Sequence, residues 1–144
     1  MIKFTSIIFI SLLTGACSTQ PTVRYKTPTI HGSLQVNGSA TSNTSIFLSL
    51  DASDAECRHF VQQIQTNEQG QFTLRAEKEP IDYAPLVQHY LDEWTICAEV
   101  QGVRRVLYSN NRYGMDSGGK SITLTCHIPS RSKNESPCRQ ALYD

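Results

Sequence analysis

Charge of any one sign is what this sequence lacks first. Its 13 Lys and Arg balance 13 Asp and Glu, for a formal net charge of zero. Nucleic acids and anionic surfaces select a surplus of positive charge, so nothing draws this chain to either. Long apolar runs are missing too: the longest, near the N-terminus, has about ten residues, half of what a helical membrane span needs. No C-x-x-C pair occurs, and His31, His59, His89 and His127 stand singly, which excludes the familiar zinc arrangements and leaves no metal to expect. Neither G-x-S-x-G nor H-E-x-x-H is found, so no common hydrolase signature is available and no catalytic residue is assigned. The 144 residues suffice for one domain with a modest core.

The N-terminus is more informative. "MIK" gives a short positive start, "FTSIIFISLL" is the apolar run, and "TGAC" closes it with small residues before a cysteine. This ending resembles the lipobox of bacterial lipoproteins, with Gly15 and Ala16 before Cys17 and Thr14 where that pattern usually has Leu. The resemblance implies cleavage after residue 16 and lipidation of Cys17, with acyl chains that hold the mature protein on a membrane. Ser18 after the cysteine resembles outer-membrane sorting, with the domain facing the periplasm. Residues 17–28, polar with two prolines, are expected as a tether.

In an oxidising compartment, Cys57, Cys97, Cys126 and Cys138 are expected to form two disulfides. Four cysteines allow three connectivities, and sequence alone does not choose among them. The pairing Cys57 with Cys97 and Cys126 with Cys138 is preferred: the first would clip a loop end to a central strand, and the second would pin the tail, residues 129–144, to the last strand.

Between residues 29 and 128 the pattern is one of short strands. "TIHGSLQV" alternates, "IFLSL" suits a strand buried on both faces, and "SITLTCHI" alternates Ile122, Leu124, Cys126 and Ile128 until Pro129 stops it. "HFVQQIQT" and "FTLRA" around "NEQGQ" read as a hairpin with Gly70 at positive φ, and Gln101-Gly102 marks a second between "TICAEV" and "VRRVLYS". About seven strands with such turns predict an all-β sandwich. One segment departs from this: in "IDYAPLVQHYLDEW", Val87, Tyr90, Leu91 and Trp94 fall at helical spacing behind Asp82 and Pro85, which predicts a short crossover helix. On it, Asp92 and Glu93 are expected at a solvated end rather than as a catalytic pair.

Two elements carry a family resemblance. Gly32, Leu34, Asn37 and Gly38 in "TIHGSLQVNGS", and Thr66, Asn67, Gly70 and Phe72 in "QTNEQGQFTL", resemble the start and the T-[DN]-x-x-G-x-F signature of transthyretin-like, carboxypeptidase-regulatory-like domains. The resemblance spans residues 29–74 and implies an immunoglobulin-like sandwich that stabilises, tethers or binds rather than catalyses. It brings no active site and no cofactor.

"GMDSGGKS" fits the phosphate-loop spacing at Gly114, Gly119, Lys120 and Ser121. A working phosphate loop runs into a helix, whereas strand periodicity and a proline stop follow here, so no nucleotide is expected. The stretch is expected instead as a polar hairpin loop joining the last two strands. The long loop expected here, with Asn110, Asn111, Arg112, Tyr113, Met115, Asp116 and Lys120, is the candidate surface for a partner. Three classes of function stay open. The first is an envelope lipoprotein scaffolding another envelope protein, for example in a secretion or conjugation assembly. The others are an inhibitor or immunity protein against a toxin or lysozyme, and a glycan or small-ligand binder.

Overall fold

A computed structural model describes residues 22–81, 90–114, 120–129 and 137–141. They are all strand, turn and bend, with no helix among them. Eleven strands follow in order: β1 (Thr22–Tyr25), β2 (Thr29–Val36), β3 (Ser39–Ala40), β4 (Ser45–Ser49), β5 (Phe60–Gln65), β6 (Gln71–Leu74), β7 (Lys78–Ile81), β8 (Tyr90–Val100), β9 (Val103–Gly114), β10 (Ser121–Ile128) and β11 (Cys138–Ala141). One sheet of five strands runs β11-β10-β2-β3, with β6 also on β2; a second of four strands runs β5-β4-β8-β9. β1 and β7 form a ribbon of their own.

The two larger sheets share one apolar core, as in a sandwich. Ile30, Leu34, Phe72, Leu74, Leu124 and Ile128 enter it from the five-stranded sheet, and Ile46, Leu48, Trp94, Ile96, Ala98 and Leu107 from the four-stranded one. The alternation in "TIHGSLQV" and "SITLTCHI" predicts these inward sets, because successive side chains of a strand point to opposite faces. β2 and β10 pair in parallel from Thr29 with Ser121 to Val36 with Ile128, so the first and last long strands lie side by side.

Turn chemistry sets the corners. Asn37-Gly38 and Gln101-Gly102 all have positive φ, the geometry of two-residue hairpins, and they join β2 to β3 and β8 to β9. Asn43 is also a left-handed turn position, at φ 53°. Gly70 has φ 72°, and a side chain there would strike the Leu34 carbonyl. Its own carbonyl accepts a hydrogen bond from Leu34 N at 2.8 Å.

Three expectations are corrected here. β5 and β6 are not a hairpin, since β5 pairs with β4 and β6 with β2; the turn at Asn67–Gly70 carries the chain from one sheet to the other. Tyr90–Trp94 belong to β8 rather than to a helix, and residues 82–89, including Val87, lie outside the described residues. Residues 22–25, expected within the tether, form β1, which pairs with β7 in register from Thr22 with Ile81 to Tyr25 with Lys78.

The open sides of the sandwich are stitched by polar side chains. On one side Gln62 acts like a peptide group: its Oε1 accepts from Arg75 N at 3.0 Å and its Nε2 donates to Arg75 O at 2.7 Å. On the other, Tyr108 of β9 donates its hydroxyl proton to Gln140 Oε1 of β11 at 2.9 Å. These bonds satisfy polar groups where edges of the two sheets that do not pair with each other meet.

Candidate functional site

β8 and β9 are the longest strands, and they outrun the sheet. β4 pairs with β8 only from Thr95 to Ala98, whereas β8 and β9 stay paired from Val100 with Val103 to Tyr90 with Gly114. Tyr90–Trp94 and Asn110–Gly114 therefore form a two-stranded arm, about 15 Å long at roughly 3.3 Å per residue. Along it, β8 has no strand on its β4 side among the described residues.

The root of the arm is well fixed. Trp94 is 3% exposed and stacks on Tyr108 with ring centroids 5.3 Å apart. Thr95 and Ser109 hydroxyls lie 3.3 Å apart, and Ser109 Oγ donates to Ala52 O at 3.1 Å. Behind the root, the register shifts between Ile96 and Cys97. This bulge turns Leu107 into the core beside Tyr108, and it adds local twist.

The candidate residues divide accordingly. Asn110, Asn111, Arg112 and Tyr113 stand on β9, opposite Trp94, Glu93, Asp92 and Leu91, so they are strand residues rather than part of a loop. Met115 and Asp116 lie outside the described residues. Lys120 is exposed, and its carbonyl accepts from Thr29 N at 3.1 Å. The glycine-bearing stretch is not a hairpin loop: it joins β9 in one sheet to β10 in the other. Strand β10 follows Lys120 directly, as its periodicity predicts.

A second built region covers the outward face of the four-stranded sheet. Residues 50–59 lie across it as a strap, tied down by the disulfide from Cys57 to Cys97. Cys57, Cys97, Phe47 and the half-buried Val106 form a small apolar cluster there, apart from the main core. Arg104 closes it, with its guanidinium 3.9 Å from the Phe47 ring centroid and 5.4 Å from that of Phe60. Its Nη1 donates to Cys57 O at 3.0 Å. Nothing local in the sequence shows that a distant loop will arrive beneath Arg104.

Asp54 organises the strap. Burial raises its pKa, but bonds from His59 N, Arg58 N and Ser49 Oγ outweigh this and hold the carboxyl below its usual range. Those bonds are each 2.9 Å long. The region holds acids, yet no group of His, Cys, Asp or Glu among the described residues is arranged to bind a metal.

The preferred cysteine pairing is the one found. Cys97 lies on β8, an interior strand, and Cys126 of β10 faces Cys138 of β11 in register. No protein-family model matches this chain, and no curated protein matches it.

Proposed function

We propose that this chain is a bacterial lipoprotein, anchored through Cys17 to the outer membrane and facing the periplasm. Its non-catalytic domain, of the transthyretin-like, carboxypeptidase-regulatory-like kind, binds another protein of the cell envelope. The observation that carries the binding role is the arm: Tyr90–Trp94 paired with Asn110–Gly114 beyond the end of β4, rooted in a buried tryptophan. A strand edge without a paired neighbour among the described residues can offer main-chain hydrogen bonds to an incoming segment, and flanking side chains give selectivity. Two internal disulfides suit an oxidising compartment, which supports the periplasmic side of the reading.

Pull-down from solubilised envelopes tests it. A membrane protein should co-purify in stoichiometric amount and be lost from the double variant Arg112→Glu, Tyr113→Ala. Retention of that protein by the variant would remove the arm from the reading. Capture of a soluble hydrolase instead would favour an inhibitor over a scaffold.

A further inference from the structure

The ribbon of β1 and β7 continues the ladder of β2 and β6. Ile30 pairs with Leu74 and Tyr25 with Lys78, so the first strand carries one more residue than the second between these pairs. That extra residue is accommodated at Thr27, which is 1% exposed. Lys26 N donates to Glu77 O at 2.8 Å, and Glu77 N donates to Thr27 Oγ1 at 2.9 Å. The joint is thus a hydrogen-bonded bulge, which bends a ladder without loosening it.

The ribbon's two faces differ in chemistry. On one, Glu79 sits between Arg24 Nη1 at 3.1 Å and Lys26 Nζ at 2.9 Å, so its charges are largely spent on one another. On the other, Val23 pairs with Pro80 and Tyr25 with Lys78. Val23 is 40% exposed and Pro80 is exposed, while Lys78 Nζ lies 4.9 Å from the Tyr25 ring centroid. An apolar pair followed by a tyrosine and a long cationic stem is the composition favoured where hydrocarbon meets headgroups.

Four residues, Ser18 to Pro21, separate Cys17 from Thr22. Five extended residue steps reach no more than about 18 Å. We propose that, in the anchored protein, the face of Val23, Tyr25, Lys78 and Pro80 lies against the lipid headgroups. The ribbon then acts as a short stiff stalk that holds the five-stranded sheet close to the bilayer by its β1 end. The contact needs no surplus of positive charge, because a short tether keeps the face at millimolar effective concentration. This rests on the reading of Cys17 as the lipidated residue.

Tryptophan reporters test it. Val23→Trp and, separately, Pro80→Trp are made in the mature lipidated protein and reconstituted into phosphatidylethanolamine–phosphatidylglycerol vesicles. Lipids brominated near the headgroup should quench the added emission about twofold or more, as expected for an interfacial ring, while the buried Trp94 of the parent changes little. Iodide quenching of both reporters should fall against the same variants made soluble by Cys17→Ser without the signal sequence. Reporters that iodide quenches equally in both forms and bromine leaves alone would overturn the inference. The intact mass separates two failures: acylated chains with water-exposed reporters overturn the inference alone, whereas an unacylated chain overturns the anchor reading as well.

Discussion

Where β4 and β8 pair beneath the strap their outward side chains are buried, whereas those of β2 and β10 mostly meet solvent. Phe47, Ser49, Thr95 and Cys97 point away from the main core and are still no more than 2% exposed, because the strap of residues 50–59 covers them. His31, Gln35, Thr125 and His127 occupy the corresponding face of the five-stranded sheet and are exposed. A sandwich needs only one buried face per sheet, so the strap is an addition to the fold rather than a requirement of it. The two disulfides divide in the same way, one inside the main core and one beneath the strap. Cys126–Cys138 ties two neighbouring strands that already pair, across 12 residues, and Cys57–Cys97 holds a separate layer in place across 40.

The largest effect should come from removing that layer's cross-link. Replacing Cys57 and Cys97 together with Ala is expected to cost about 3–5 kcal/mol, in the upper part of the range for native bridges and with added loss from the emptied apolar cluster. Replacing Cys126 and Cys138 should cost less, about 2–3 kcal/mol, since the closed loop is shorter. Urea unfolding of both double variants checks the order, and equal midpoints would show that the strap contributes no more than the edge.

Next in size is a change inside the core. Gly32 pairs with Phe72, and a Cβ at Gly32 would collide with the Phe72 ring. Gly32→Ala should therefore destabilise by about 1–3 kcal/mol through overpacking, measured by the same urea transition.

How much of this could be read from sequence follows from what each signal reports. Turn residues were legible because their φ demands are local: Gly38, Gly70 and Gly102 all have positive φ. Asn67 likewise works within its own turn, its Oδ1 accepting from Gln69 N at 3.0 Å and Gln71 N at 2.8 Å. A turn does not say which strand its flanks will pair with, so β5 and β6 read as a hairpin although they serve different sheets. Tyr90, Leu91 and Trp94 fit a helical period, yet they pair with Gly114, Tyr113 and Asn110 of β9, and a cross-strand partner leaves no trace in local spacing. β1 could not be read because its partner lies more than fifty residues away, as in the contact of Arg24 with Glu79. The candidate residues Asn110 to Tyr113 were found by their polarity and misplaced in a loop. Cross-strand pairing with β8 overrides the turn tendency of two consecutive asparagines.

A smaller loss is expected where β9 meets the strap. Arg104→Ala removes a cation over two aromatic rings and a charged donor to Cys57 O, worth about 1–2 kcal/mol at a half-buried site. Arg104→Lys should recover only part of it, because a point charge cannot stack on Phe47 and reach the carbonyl at once. Full recovery in the urea midpoint would reduce the contact to simple charge.

Acid should loosen the same layer. The Asp54 pKa is lowered in the folded state, so its contribution is present above the unfolded carboxyl value and is lost as the pH falls through the folded one. In Asp54→Asn that contribution is absent at every pH. The midpoints of wild type and variant should therefore differ at pH 7 and converge as the pH drops below the ordinary carboxylate range. A gap that stays constant with pH would mean that the Asn change acts through shape rather than charge.

The smallest effect belongs to the bare face. Thr125 is exposed on β10, beside Ser33 of β2 and Arg139 of β11, and no layer of described residues covers it. Thr125→Ala deletes a hydroxyl already hydrated by solvent, so the change should stay within about 0.5 kcal/mol. A strand loses a little from alanine's lower β propensity, which sets the sign but not a larger size. A loss comparable to that of Arg104→Ala would mean that something covers this face in the folded protein as the strap covers the other. The concentration dependence of the urea midpoint would then show whether that cover is a second copy of the chain.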